Sequence, residues 1–481
     1  MRNMAIVFVA LLAGCSLAPK FERPAVETPA QFKELTPAER GNWKAAQPAE
    51  ASPRGEWWKA FNDAVLDALE ADAITANQNL KAAAARVSQA RALVGVAKAD
   101  RIPQVDANFG PSRVKPSGVS VGLPGENIAP YTVWRGLLTV SYEVDLFGRI
   151  SDTINAARSE YEGTEATFRS VQLALQADVA QTYFALRETD EELTLLRDTL
   201  SLREDSARLL QRRFDLGEIG ELDVARAKTE LATTRSDAIA LERQRAQLEH
   251  ALAVLLGKPP ASFDLTPAPL VSAMPAIPAG LPSSLLERRP DIASASRTMA
   301  AANARIGVAK AAFFPVLNLT AQGGFESSEL SQLFKWSSRA WALGPLAGTI
   351  LAMPLIDGGR NQANLDRSYA VLEESVASYR QKVLAAFAEV EDNLANVRTL
   401  DDQGQATRDA VASASRALRI AQVRYNAGAT GYLDAIDAQR SLLSVQRLET
   451  QIKGARASST VALIRALGGG WELPTRVSSA Q

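Results

Sequence analysis

The chain has 481 residues, 53 Lys and Arg against 54 Asp and Glu, a formal net charge of −1, one histidine and one cysteine. That length allows more than one ordinary domain, the balanced charge gives no electrostatic reason to expect nucleic-acid binding, and a lone cysteine excludes an internal disulfide. The single histidine, His250 in Gln247-Leu248-Glu249-His250, lies within a helical pattern and is read as a solvated or packing residue. Metal ligation needs clusters of donors that this sequence lacks. No catalytic constellation is evident, so the chain is read as having no enzyme activity, no metal and no cofactor apart from a covalent lipid.

Residues 1–14 read as a bacterial lipoprotein signal. Arg2 precedes an apolar run from Met4 to Leu12, which ends in Leu12-Ala13-Gly14-Cys15. The run is too short for a spanning helix, which needs about 20 apolar residues, and small residues before the break fit a secretory leader. Cys15 is then the first mature residue and the lipidation site. Acyl chains contribute about 0.8 kcal/mol per buried methylene. No later segment is a candidate transmembrane helix, so any membrane crossing falls to β-strands.

Residues 15–57 form an N-terminal segment. A helix is predicted from about Trp58 to Asp100, with Pro103 closing it. Val105, Ala107 and Phe109 alternate with Asp106 and Asn108. After a Gly/Pro/Ser-rich loop from Pro111 to Pro130, Leu138, Val140, Tyr142, Val144 and Leu146 alternate with Thr139, Ser141, Glu143 and Asp145. This is the period-two pattern of a barrel strand with lipid on one side and water on the other. From Arg149 to about Phe214 there is no proline, and Ile150, Ile154, Ala157, Tyr161, Thr164, Phe168, Val171 and Leu175 are spaced by four and three in turn. Such a period marks a coiled-coil-like seam, and at about 1.5 Å per residue the helix would be roughly 95 Å long, too long for a compact domain. Gly217 and Gly220 then let it reverse into a partner helix.

The chain then repeats itself. Arg213-Phe214-Asp215-Leu216-Gly217 through Asp223 returns as Arg424-Tyr425-Asn426-Ala427-Gly428 through Asp434, at an offset of 211, and Leu256-Gly257 returns as Leu467-Gly468. Gly95-Val96-Ala97-Lys98-Ala99 matches Gly307-Val308-Ala309-Lys310-Ala311 at an offset of 212. Residues 58–258 and 283–468 are therefore two copies of one unit of helix, strand, strand, long helix and helix. A Pro-rich linker, 259–282, joins them and a tail, 469–481, follows. In the second copy helices are predicted at Ser283–Phe313, Arg360–Tyr425 and about Tyr432–Leu467. Leu317, Leu319, Ala321 and Phe325 alternate with Asn318, Thr320, Gln322 and Glu326. The fourth strand, about Pro345 to Ile356, alternates poorly and is placed by repeat symmetry. Tyr131, Trp134, Phe334, Trp336 and Trp341 cluster near the strand-joining loops, as an aromatic girdle at a membrane interface would.

Four strands cannot close a membrane barrel, which begins at about eight, and an open edge in lipid leaves backbone groups unpaired. Copies of the chain must combine. Two, three or four copies would each supply a closed set, and strand arithmetic does not choose among them.

Several further motifs carry a resemblance. They are Pro19, Phe21 and Pro24 after the cysteine, Trp57-Trp58 with Phe61 and Asp63, Leu285-Leu286-Glu287-Arg288-Arg289-Pro290-Asp291, Phe313-Phe314-Pro315, and Asp357-Gly358-Gly359-Arg360. Together with the double repeat they make nearly the whole mature chain resemble the TolC/OprM family of outer-membrane efflux channels. Ser296 stands where that family usually has Glu, and Phe21 where Tyr is usual. The resemblance implies a homotrimer, mainly α, with a 12-stranded β-barrel in the outer membrane and a long α-helical barrel crossing the periplasm. A belt would use the linker, the N-terminal segment and the tail. It implies a passive exit duct of a tripartite efflux system, working with a periplasmic adaptor and an inner-membrane pump of the RND type. Ser16 after the cysteine implies the outer membrane as the destination.

By the same resemblance Tyr425, Leu433, Asp437 and Arg440 occupy gate positions at the second tip. Asp223 in the first tip is their expected partner. Asp434 and Asp437, three apart on one helix face, would make stacked carboxylate rings in a trimer. The tips at Gly217, Gly220, Gly428 and Gly431 are the expected adaptor-docking grooves. Two other readings stand beside this one: a duct for protein secretion, and a periplasmic coiled-coil scaffold without a pore.

Overall fold

A computed structural model describes residues 16–29, 31–34, 55–270, 274–275, 288–344 and 351–469. Cys15, residues 285–287 of the Leu285–Asp291 motif and the tail from residue 470 lie outside the described residues. In chain order the elements are a 3-10 turn Trp57–Phe61, α1 Ala64–Ala76, α2 Gln78–Ala99, β1 Gln104–Val114, β2 Tyr131–Val144, α3 Arg149–Asp215 and α4 Glu221–Leu255. These are followed by α5 Pro290–Ala311, β3 Val316–Ser327, β4 Arg339–Leu343, β5 Leu351–Ala352, α6 Arg360–Asn426 and α7 Tyr432–Ala466. The repeat is carried by equal lengths: 22 residues in α2 and α5, 67 in α3 and α6, 35 in α4 and α7. A helix of that greatest length extends about 100 Å. Among the described residues no helix is long and apolar enough to cross a membrane.

The chain divides into two compact units. The first comprises Met1–Ala25, Arg86–Glu165 and Ser294–Tyr379 and contains the sheet. Its strands are all antiparallel in the order β1-β2-β3-β4, with β5 also pairing β3. The register sets Val105, Ala107 and Phe109 opposite Val140, Leu138 and Gly136, and sets Leu138, Val140, Tyr142 and Val144 opposite Gly323, Ala321, Leu319 and Leu317. Trp341 and Leu343 oppose Gly323 and Ala321, and Leu351 opposes Leu317. Residues directly opposed share a face. One face is therefore apolar until Arg339, opposite Phe325, whose guanidinium lies 3.3 Å from the centre of the Trp336 ring. The other carries Asp106, Asn108, Thr139, Ser141, Glu143, Asn318, Thr320 and Gln322, with an Arg135–Glu326 ion pair at 2.8 Å and Leu137 as an apolar exception. Leu333 and Phe334 pack over Gly136 and Phe325 on the apolar face, and elsewhere on it Phe109, Leu138, Trp341 and Leu343 are exposed.

Two expectations need correction here. The fourth strand, expected from about Pro345 to Ile356, is observed there only as Leu351 and Ala352 among the described residues, and pairing with β3 begins earlier than expected. Its pairing is made by Arg339–Leu343, read from the sequence as loop, and by the two residues of β5, while residues 345–350 lie outside the described residues. Trp341 and Leu343 alternate with Ala340 and Ala342, which is a strand pattern, whereas Pro354 has no N–H to give a ladder. The helix expected from Trp58 to Asp100 is also broken. Asn77 leaves helical geometry at ψ 127°, its Oδ1 accepts from the Leu80 N–H at 2.9 Å, and its Nδ2 donates to the Leu255 carbonyl at 2.8 Å. The amide side chain thus ends α1, caps α2 and ties both to the end of α4. In the second copy the short helix starts at Pro290.

The second unit comprises Val26–Ala85, Ala166–Ala293 and Arg380–Gln481. Trp57, Trp58 and Phe61 are buried with Tyr183, Phe184, Val461 and Ile464. Asp63 caps α1 through the Val65 and Leu66 N–H groups at 2.9 and 3.1 Å and accepts from Tyr183 Oη at 2.6 Å. Burial, with that bond, pushes the Tyr183 pKa up to about 12. Glu70 is wholly buried with neither carboxylate oxygen bonded, and burial, reinforced by Asp67, pushes its pKa up to about 9, so it stays neutral at pH 7.

The described parts of the linker and N-terminal segment of this unit are held against its helices by charged side chains. Arg187 donates to the Thr266 carbonyl at 2.8 Å, Asp190 accepts from Arg187 at 3.0 Å and Arg245 at 2.7 Å, and Glu249 accepts from the Leu265 N–H at 2.7 Å. Phe32 is buried, and Glu391 of α6 accepts the N–H groups of Lys33 and Glu34 at 2.7 and 3.0 Å.

Candidate functional site: the two hairpin tips

Both long helices end in the same way. Gly217 and Gly428 adopt φ of 75° and 73°, the left-handed conformation that glycine takes without a Cβ clash. Gly217 N–H donates to the Phe214 carbonyl and Glu218 N–H to that of Arg213, both at 2.8 Å. Their counterparts, Gly428 to Tyr425 and Ala429 to Arg424, measure 2.9 Å each. Gly220 and Gly431 then stand at the N-caps of α4 and α7. A Cβ added at any of the four glycines would meet nothing within 4 Å, so the expected docking positions are open.

Between the tips lies a small apolar core. Ala207 and Leu210 of α3, Val224 and Ala227 of α4, and Tyr432, Ala435 and Ile436 of α7 are buried together, with Tyr425 packed against them. Tyr425 and Tyr432 rings lie 5.4 Å apart. Arg213 donates from Nη1 to Tyr425 Oη at 3.2 Å and from Nε to Glu218 at 3.1 Å. Burial raises the Tyr425 pKa while Arg213 opposes it, so the hydroxyl stays protonated and can accept from the guanidinium.

A carboxylate on α4 gathers the charges. Glu230 Oε2 is 3.1 Å from Arg203 Nη1 of α3, and its Oε1 accepts from Arg440 Nε of α7 at 2.9 Å and also meets Arg440 Nη2. Arg203 also donates to the Glu230 carbonyl at 3.0 Å and to Thr234 Oγ1. Burial lowers the Arg203 pKa and Glu230 counters it. On the exposed Arg440 the hydrogen bond to Glu230 dominates and raises the pKa. Asp437 lies 3.4 Å from Arg440 on the same helix.

The sequence-predicted site is thus brought together in part. Tyr425 and Arg440 make contacts that tie the second tip to the first, and Asp437 sits beside Arg440 on its own helix. Leu433, 41% exposed, and Asp434 stand free of that core at the start of α7. Asp223 was expected as partner to Arg440 or Tyr425. Within the chain it pairs with Arg226 at 3.6 Å, whereas Arg440 is met by Glu230 and Tyr425 by Arg213. His250 is exposed on α4, and no cluster of potential metal ligands occurs among the described residues.

Arg203, Arg213 and Glu230 escaped the sequence reading. In an antiparallel hairpin, residues equidistant from the turn face each other, and Arg197–Glu242 and Glu204–Arg235 pair in that way at 3.0 and 2.8 Å. Those pairs are equidistant from a point between Ile219 and Gly220, and the same register sets Arg203 opposite Ser236, near Thr234 but more than a helical turn from Glu230.

The model of the outer membrane efflux protein family matches residues 69–258 and 281–469, once in each repeat. The chain belongs to the outer membrane efflux protein family. Its relatives include the toluene efflux pump outer membrane protein TtgF of Pseudomonas putida, 35% identical over 98% of this chain and 97% of the relative. The cation efflux system protein CusC of Escherichia coli is also 35% identical, over 96% of this chain and 97% of its own length. Among solved structures the Campylobacter jejuni CmeC outer membrane channel superposes with a TM-score of 0.85 at 26% identity, covering 95% of each chain. This outer membrane efflux protein therefore resides in the outer membrane and serves as an efflux channel component.

Proposed function

We propose that three copies of the chain form a passive exit duct, anchored by lipid on Cys15, whose hairpin tips are the gate that a periplasmic adaptor opens for an inner-membrane pump. The observation that carries this is the sheet. Among the described residues β1 has a neighbour only in β2, and β4 and β5 only in β3, so both edges are open while one face presents the exposed apolar side chains of Phe109, Leu138, Trp341 and Leu343. Open edges in lipid cost several kcal/mol for each unpaired group, and pairing with neighbouring copies removes them. Three copies would make the 12-stranded barrel that the resemblance implies. Relatives named for toluene efflux and for cation efflux stand at the same 35% identity, as suits a duct whose cargo is chosen upstream.

The gate reading rests on bonds that join α7 to the first hairpin through exposed side chains. Arg440 is half exposed yet bound to Glu230, so it can be released without opening a core. Opening would then be a switch between two helix packings, biased by whichever partner binds the tips. Purified protein in planar bilayers tests both steps. The Asp437→Ala/Arg440→Ala double variant is expected to conduct more than the unaltered chain. A correctly assembled double variant that carries no current would overturn the duct and leave a scaffold.

A further inference from the structure

Ser16 to Pro19, the residues directly behind Cys15, lie against α3 and α5 inside the first unit. Ser16 Oγ donates to Asp152 Oδ1 at 2.7 Å and accepts from the Ala18 N–H at 3.2 Å. Asn303 Nδ2 donates to the Pro19 carbonyl at 2.6 Å. These receptors are interior groups: Asp152 is 1% exposed and Asn303 7%. Gly307 provides the room, because a Cβ there would come closer than 3.0 Å to both Asp152 Oδ2 and the Ala18 nitrogen. Oδ2 of Asp152 has no partner of its own, and burial raises the pKa of this carboxyl against the pull of Ser16 and Asn155. A buried carboxyl needs its hydrogen bonds, and one of those made by Asp152 comes from the N-terminal segment.

The place matters as much as the contact. Asp152 is in the first turn of α3, which begins just after β2, and Asp145 caps that turn through the Ile150 and Ser151 N–H groups at 2.9 and 2.8 Å. A segment bonded to Asp152 is therefore fixed where strand gives way to helix.

We infer that Asp152, Asn303 and Gly307 form a dedicated seat for Ser16–Pro19, which fixes the segment that follows Cys15 beside the strand ends. Its consequence for the membrane rests on the reading of Cys15 as lipid-bearing, but the seat itself does not. With Ser16 held, the Cα of Cys15 stays within about 3.8 Å of a fixed point, so acyl chains would enter the bilayer in register with the strands. A free tether of the same length would let them enter anywhere within its reach.

Limited trypsin digestion of the full-length protein in detergent, followed by mass spectrometry, tests this. The Lys20–Phe21 bond lies one residue past the seat, and the Lys33–Glu34 bond, held by Glu391, is an internal reference. Ser16→Ala is expected to speed cleavage at Lys20 about tenfold, as loss of a hydrogen bond to a charged group allows. Gly307→Val should speed it more, and neither should change cleavage at Lys33. Unchanged relative cleavage in Ser16→Ala overturns the seat even if Gly307→Val fails to assemble, because Ser16 is an exposed residue outside the core. The mass of the N-terminal peptide reports the lipid separately. An unacylated Cys15 with faster cleavage would sink the anchor and leave the seat, whereas an acylated Cys15 with unchanged cleavage would sink the seat alone.

Discussion

The two hairpin tips share a backbone and differ in what holds them. Their glycines have φ within 2° of each other (75° and 73°), and the same pair of backbone bonds closes each reversal. At matching positions the side chains diverge: Glu221 against Tyr432, Arg226 against Asp437, Thr229 against Arg440. The first tip pairs Arg226 with Asp223 on the same helix and sends Arg213 to the Tyr425 hydroxyl. The second sends Tyr432 into the shared core and Arg440 across to Glu230. Reversal is thus a property of the repeat, while the arginine that crosses from the second helix of a hairpin belongs to one copy. A divergence of three side chains gives α7 something to release that α4 lacks.

The largest effect expected from this asymmetry is at Glu230. Replacing it by alanine frees Arg440 and also strands Arg203, whose side chain is 8% exposed, so Glu230→Ala should cost about 3 kcal/mol as a broken buried pair does. Arg440→Ala removes only the half-exposed partner and should cost less than about 1 kcal/mol. Thermal melting of the purified variants compares them, and equal losses would mean that the buried half of the cluster contributes nothing special. Next in size are the glycines. Gly217→Ala and Gly428→Ala each force a Cβ into a left-handed turn and should each lose about 1 kcal/mol. Their losses should match, since the backbone is the shared part. A clear inequality would show that the two reversals are not equivalent.

Much of the fold was legible because it is written in periods and punctuation. The 3.5-residue spacing from Ile150 to Leu175 and the paired Gly217 and Gly428 marked the long helices and their turns at nearly the positions observed. Alternation at Leu138 to Val144 marked β2. Asn77 was hidden because its cap depends on the Leu255 carbonyl, which is far away in sequence. β4 was hidden because Trp341 read equally well as a loop aromatic. At the tips, positions taken from the resemblance pointed to Tyr425, Asp437 and Arg440 but not to their partners. Glu230 looks like any charge on a helical face until the antiparallel register and the approach of α7 bring two arginines to it. Pairwise chemistry between helices is set by rotation and crossing, which no single-helix pattern records.

The smallest change that still bears on the comparison is at Tyr425, whose counterpart in the first tip is Phe214. Tyr425→Phe makes the second tip resemble the first in one atom. The ring packing on Tyr432 at 5.4 Å is kept, and Arg213 retains Glu218 at 3.1 Å, so only the 3.2 Å hydrogen bond to the hydroxyl is lost. Such a bond contributes roughly 0.5–1.5 kcal/mol, and partial exposure argues for the lower end. The expected result is a melting temperature close to that of the unaltered chain and a conductance gain smaller than that of Arg440→Ala. The ion pair across to α4 would then be the stronger tie and the tyrosine an aid to its alignment. Should Tyr425→Phe conduct more than Arg440→Ala, the order reverses: the hydroxyl would hold the tips together, and the Glu230 cluster would serve the stability of the first hairpin alone.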